Sequence, residues 1–156
     1  MRKMKKSQYL VLATILDTDY QSLIFFERWP IHLTVLPPFK TNNLPKLESA
    51  IEEIIADSRV KGGKKSIGAF VAFGKAEETA VRLIEDDDGS IKKLHQAFFN
   101  ELRSSVVDKS WCGDNFCPHI SIGRKEIPKK INFNNISLIL VDAVSRHSEI
   151  LHTFHF

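Results

Sequence analysis

Two short segments of this chain repeat one pattern, a histidine and a hydroxyl residue set among apolar neighbours. The first is PIHLTV, residues 30–35, and the second is CPHISI, residues 117–122. Short apolar runs beside proline predict buried strands. Side chains alternate along a strand, so His32 and Thr34 would share one face, as would His119 and Ser121. The fold must therefore hold two strands that pack on one side and present polar groups on the other.

The repetition is what makes the pattern informative. None of the other histidines, His95, His147, His152 and His155, begins such a pattern. One copy is a weak motif, since a half-exposed strand has the same appearance, but two copies are much less expected by chance. If the two strands are neighbours, their four polar side chains converge on a cleft.

The residue types suit phosphodiester chemistry. Two histidines with pKa values near neutral can take a proton from an attacking oxygen and give one to a leaving oxygen. Hydroxyl groups on the same face can donate hydrogen bonds to phosphoryl oxygens as charge accumulates there. This chemistry requires no cofactor, and we expect none.

The remaining pattern predicts an α+β fold with helices packed on antiparallel sheet. A turn or helical piece is expected at Asp19–Arg28, Ser90 is a candidate N-cap, and His95 is expected at the edge or surface of its helix. Besides the two motif strands, the predicted strands are Tyr9–Leu16, Ser66–Lys75, Thr79–Ile84, Ile136–Val144 and Ser148–Phe156, and the predicted helices are Leu44–Ile55 and Ser90–Val106.

Composition places the chain among ordinary globular proteins. It has 156 residues, of which 43% are hydrophobic and 26% charged, enough for one domain with a substantial core. No apolar run is long enough to cross a bilayer. The basic segment Met1–Lys6 lacks a following cleavage site, so we expect a cytoplasmic protein with no membrane partner. The net charge of +3 is only weak support for an anionic ligand.

Two clusters are candidate metal sites. Cys112 and Cys117 precede His119, but a closed zinc site usually needs four ligands, so two reduced thiols are the favoured interpretation. The acidic run 85–88 is typical of an exposed turn before a helix, because adjacent residues seldom converge on one ion. We therefore expect no metal.

The segments His32-Leu33-Thr34-Val35 and His119-Ile120-Ser121-Ile122 resemble the paired His-x-Thr/Ser-x motifs of the two-histidine (2H) phosphoesterase superfamily. The likeness is strongest to its 2′-5′ RNA ligase-like and cyclic phosphodiesterase branches and extends over nearly the whole chain. It implies a single domain, residues 1–156, of two repeated lobes. In that bilobal, pseudo-twofold fold, antiparallel sheets surround a central cleft and helices pack outside.

The resemblance also implies roles for individual residues. His32 and His119 would exchange general acid and base roles, and Thr34 and Ser121 would hold the phosphate. Arg124 occupies a position where many members carry a phosphate-contacting arginine. The chain departs from the usual pattern of the family at two places. Ser121 replaces the commoner threonine, and the sequence after the first motif is Leu36-Pro37-Pro38-Phe39.

Phe39 and Trp111 are candidates for stacking on a nucleobase, because each is predicted in a loop beside a motif. Core packing is the alternative for both. The sequence thus predicts a metal-independent, monomeric phosphodiesterase that opens 2′,3′-cyclic phosphate ends of RNA or small nucleotides, with reversible 2′-5′ ligation. Two alternatives remain: a non-catalytic RNA- or nucleotide-binding module, and the same chemistry on a small metabolite such as an ADP-ribose cyclic phosphate or 2′-5′ oligoadenylate.

Overall fold

The structure of this protein is a computed structural model that describes residues 3–16, 25–26, 29–73, 79–121 and 129–156. Two helices and nine strands make up its regular elements. In chain order they are β1 Gln8–Ile15, β2 Phe25–Phe26, β3 His32–Phe39, α1 Leu44–Ser58, β4 Gly63–Phe73, β5 Thr79–Glu85, α2 Ser90–Leu102, β6 His119–Ser121, β7 Lys130–Phe133, β8 Asn135–Asp142 and β9 Ser148–His155.

The strands form one antiparallel sheet in the order β2-β9-β8-β1-β3-β6-β5-β4-β7. β3 and β6 join its two halves through a single paired position, Leu33 opposite Ile120. The two-lobed arrangement stays a prediction, and the described strands form a continuous sheet where separate sheets were expected.

The larger core lies between one face of this sheet and the two helices. Leu33 and Ile120 belong to it, together with Ile51 of α1 and Leu94 and Phe98 of α2. A smaller cluster on the opposite face includes Val11, Ala13, Ile15, Phe26, Ile139 and Val141. Because strand side chains alternate, residues 32, 34, 119 and 121 point to the face away from the helices.

Local chemistry explains where each helix begins. Asn43 caps α1, and its side-chain oxygen accepts a hydrogen bond from the Lys46 N–H at 3.1 Å. At α2 the predicted cap, Ser90, is wrong. Gly89, with φ of 69°, is the N-cap residue, and the Asp86 and Asp88 carboxylates accept the first helical N–H groups.

Several other predictions need correction. α2 ends at Leu102, and the 3₁₀ turn Arg103–Ser105 replaces its predicted last turn. β7 was not predicted, and within the predicted turn Asp19–Arg28 the described residues Phe25–Phe26 form β2. The other residues of that turn lie outside the described residues. No helix within the described ranges is long and apolar enough to span a membrane.

Candidate active site

The junction of β3 and β6 brings the two motifs together. With Leu33 opposite Ile120, the antiparallel register places His32 across from Ser121 and Thr34 across from His119. Opposed side chains on one face have Cβ atoms about 5 Å apart, and diagonal ones about 7–8 Å apart. His32, Thr34, His119 and Ser121 therefore form a polar square, with the two histidines at diagonal corners. The distance between the two histidines accommodates one phosphate group.

The neighbouring strands continue the same face on both sides. On β1, Ile15 pairs with His32 and Ala13 with Thr34, and both β1 residues are buried. On β5, Leu83 pairs with His119 and Val81 with Ser121. Apolar residues therefore border the polar square, while Ser121 is exposed and His32, Thr34 and His119 are partly exposed. A ligand that reaches the square is partly shielded from water.

Both histidines are held in the same way. Nδ1 of His32 lies 2.9 Å from the Pro30 carbonyl oxygen, and Nδ1 of His119 lies 2.8 Å from the Cys117 carbonyl oxygen. A carbonyl oxygen only accepts, so each Nδ1 carries the hydrogen. Each Nε2 is then the atom that takes up or releases a proton. The repeated geometry supplies two equivalent acid–base groups.

The surroundings of His32 favour its neutral form. Burial lowers its pKa below 6.5, the hydrogen bond to Pro30 opposes this shift, and the nearby His119 charge adds to it. Trp29 contributes to the burial, with its ring centroid 4.5 Å from that of His32. Phe26 in turn contacts Trp29 edge-on at 5.1 Å.

Trp29 is a site residue that the sequence reasoning missed. It lies three positions before His32, and its only sequence signal was this proximity. The contact between Trp29 and His32 is a tertiary feature, which strand periodicity does not predict.

The other predicted site residues have different outcomes. Phe39 is the last residue of β3 and is completely buried in the main core, so the predicted base-stacking role is wrong. The strand continues past Pro37-Pro38, and Phe39 bridges to Val106. Trp111 is 52% exposed, and its stacking role stays a prediction. Arg124 lies outside the described residues.

The acidic run is paired with a lysine, and the two cysteines are free thiols. Lys65 forms ion pairs with Asp86, at 3.0 Å, and with Asp88. Cys112 is buried, and burial raises the pKa of its thiol. Within the part of the chain that the structure describes, no three His, Cys, Asp or Glu side chains gather as a group that could hold a metal ion.

A cavity of about 680 Å³ lies away from His32 and His119, between the end of α1 and β9. Arg59, Val60, His152 and Phe154 are among its lining residues, and none of the predicted site residues that the structure describes lines it.

Comparison with known families supports the motif assignment. Residues 16–140, which include both motifs, match the 2′-5′ RNA ligase superfamily. The chain belongs to this superfamily. The resemblance to 2H phosphoesterases is confirmed, and phosphoesterase-type chemistry is the activity that membership supports. A search of curated proteins finds no match.

Solved structures related to this 2′-5′ RNA ligase superfamily member share its fold at low identity. E. coli LigT complexed with 3′-AMP is 14% identical, with a TM-score of 0.64 and coverage of 97% of this chain and 99% of that one. Other LigT structures hold ATP and NADP+. A crystal structure described as a phosphoesterase is 13% identical, with a TM-score of 0.63 and coverage of 96% and 98%. TT0787 of Thermus thermophilus is 12% identical, with a TM-score of 0.58 and coverage of 94% and 97%.

Proposed function

We propose that this protein is a metal-independent phosphodiesterase that opens 2′,3′-cyclic phosphate ends of RNA or nucleotides. With the 5′-hydroxyl of a second RNA end in place of water, the same attack would join ends through a 2′-5′ bond, and this ligation is reversible. The observation that carries the proposal is the register at Leu33 and Ile120, which sets two histidines and two hydroxyls on one face. Family membership and the nucleotides bound by LigT support it.

In the hydrolytic direction, His32 acts as the general base. Its lowered pKa leaves Nε2 unprotonated at neutral pH, ready to take a proton from water. The water oxygen forms a bond to phosphorus as the bond to one ribose oxygen breaks. His119 delivers a proton to that leaving oxygen. In ligation a 5′-hydroxyl takes the place of water and the histidines keep these roles. When the 2′-5′ bond is cleaved again, the two histidines exchange roles.

Thr34 and Ser121 hold the phosphate in this proposal. Each hydroxyl lies across from a histidine, so their hydrogen bonds would reach the two non-bridging oxygens from opposite corners. Arg124, predicted to contact the phosphate, and Trp111, predicted to stack on a base, complete the proposed set. A monomer in the cytoplasm, built of two repeated lobes, remains part of the proposal.

A panel of substrates tests the proposal. The wild-type protein is incubated in EDTA with 2′,3′-cyclic nucleotides, cyclic-phosphate-ended RNA, 2′-5′-linked dinucleotides and an ADP-ribose cyclic phosphate, and each product is analysed for which P–O bond was broken. We expect opening of the cyclic phosphates. Binding without product would favour the non-catalytic module, and turnover of the ADP-ribose compound alone would favour the metabolite enzyme.

A further inference from the structure

A buried histidine outside the proposed catalytic pair connects the two motif strands. His95 of α2 is 1% exposed, which corrects its expected surface or edge position. Its Nδ1 lies 2.7 Å from the Val35 carbonyl oxygen, so Nδ1 carries a hydrogen and donates it. Its Nε2 accepts a hydrogen bond from the Gly113 N–H at 2.9 Å. The ring is therefore neutral, and both nitrogens are satisfied.

One of these bonds reaches the first motif. Val35 follows Thr34 on β3, and its side chain is completely buried. A buried carbonyl that loses its partner is costly, so the bond from His95 holds this part of β3 against α2.

The other contacts reach the second motif. Gly113 begins the 3₁₀ turn Gly113–Asn115, and its φ of 64° is a conformation that glycine adopts without strain. Phe116 follows this turn and stacks on the His95 ring at 3.8 Å, with only 4° between the planes. The next residue, Cys117, supplies the carbonyl that holds Nδ1 of His119.

We propose that His95 is a positioning residue that sets the placement of His119 relative to His32 and Thr34. It acts through the backbone at Val35 and through Gly113 and Phe116, without touching the substrate. This inference rests on the proposed function of the two catalytic histidines. It also accounts for a polar ring at a core position on α2, between the buried apolar residues Ile91 and Phe98.

Three substitutions separate positioning from core packing. In His95→Asn the amide nitrogen replaces Nδ1 and keeps the donor to Val35. In His95→Gln the amide oxygen replaces Nε2 and keeps the acceptor for Gly113. His95→Phe keeps the stacked ring and loses both bonds. Ile51→Val, a change in the same core on α1, is the control for a general loss of stability.

Activity is the first measurement. For a 2′,3′-cyclic nucleotide we expect kcat to fall about 10-fold in the Asn and Gln variants and about 100-fold in the Phe variant, because small displacements of catalytic groups have such effects. KM should change less than kcat. Ile51→Val should keep the wild-type kcat at temperatures below its melting transition. A wild-type kcat in all three His95 variants would overturn the proposal.

The second measurement does not require turnover. NMR titration of ring-labelled histidines follows the pKa values and chemical shifts of His32 and His119. We expect the titration curves of His32 and His119 to change in the His95 variants. In Ile51→Val both curves should stay as in the wild type. Unchanged His32 and His119 titrations overturn the positioning role. Changed titrations in a protein without phosphodiesterase activity uphold the positioning role while the proposed function fails.

Discussion

At the scale of single residues, the site depends on the protonation of two imidazoles that the backbone holds in one tautomer. The carbonyls of Pro30 and Cys117 bind Nδ1 of His32 and His119, which leaves Nε2 of each ring for chemistry. Burial, to which Trp29 contributes, lowers the pKa of His32 and favours its neutral form. In the proposed mechanism, this makes His32 the base at neutral pH.

The pH dependence of hydrolysis follows from the lowered pKa of His32. A base must be unprotonated, so kcat/KM should stay constant as the pH is lowered to about 6.5. Below the pKa of His32 it should fall about tenfold per pH unit. The measurement is kcat/KM for a cyclic nucleotide between pH 4.5 and 8. An acidic limb centred above pH 6.5 would contradict the assignment of His32 as base.

Replacing Trp29 should move this limb. Trp29→Leu exposes His32 to more water, so the pKa of His32 should rise and the acidic limb should shift to higher pH. Phe70→Leu, at a ring that is 63% exposed on β4, is the control and should leave the limb in place. If the Trp29 variant has the wild-type limb, the tryptophan does not determine the protonation of His32.

At the scale of elements, a buried ion pair joins β4 to the start of α2. Lys65 is 6% exposed and binds Asp86 and Asp88, while Asp86 also accepts hydrogen bonds from the N–H groups of Ile91 and Lys92. The two carboxylates thus pair with the lysine and also accept hydrogen bonds from the helix N-terminus. Asp86 and Asp88 of the acidic run therefore have a structural role.

Removing the lysine should therefore be costly. Lys65→Met leaves the Asp86 carboxylate buried without its cation, and we expect the free energy of unfolding to fall by about 3 kcal/mol. Lys64→Met, at an exposed neighbour, should change it by less than about 0.5 kcal/mol. Urea denaturation at pH 7 measures both. Equal effects of the two substitutions would show that the ion pair contributes nothing specific.

Some elements could be predicted from the sequence because their signals are local. The apolar spacing from Leu44 indicated where α1 starts, and the alternation around His32 and His119 indicated the polar face of β3 and β6. β7 was missed because it is only four residues long, and β2 because it is two. His95 was misplaced because its partners, the Val35 carbonyl and the Gly113 N–H, are distant in the sequence. Phe39 was misplaced because two prolines suggested a loop where the strand continues.

At the scale of the whole molecule, the fold places the main core and the motif histidines on opposite faces of one sheet. Helices and the main core cover the face of Leu33 and Ile120, and the histidine pair lies on the other face. His95 belongs to the covered face, yet it contacts the segments that hold both motifs. The proposed positioning role of His95 would link stability and activity through one buried imidazole.

Folding stability should decrease as the pH falls below about 6.5. The folded-state pKa values of His32 and His95 are lowered, both by burial first, so the unfolded chain binds more protons in this range. Their contribution is fully present above pH 6.5 and is lost toward the folded-state pKa. The pKa of Asp88, about 2, lies well below this window.

Urea unfolding at pH 7.5 and pH 5.5 tests this prediction. The wild type should be less stable at pH 5.5, and His95→Phe should have a smaller difference between the two pH values because one titrating group is gone. The control His155→Ala, at an exposed histidine, should keep the wild-type difference. An unchanged difference in His95→Phe would show that His95 titrates normally in the folded protein.

The central claim is that His32 and His119 together catalyse phosphodiester opening. The direct measurement is hydrolysis of a 2′,3′-cyclic nucleotide in EDTA by the wild type, His32→Ala, His119→Ala and the control His155→Ala. We expect kcat to fall by about 10³-fold in each of the first two variants, with melting temperatures near that of the wild type, and to be unchanged in the control. Wild-type turnover in either the His32 or the His119 variant would contradict the account.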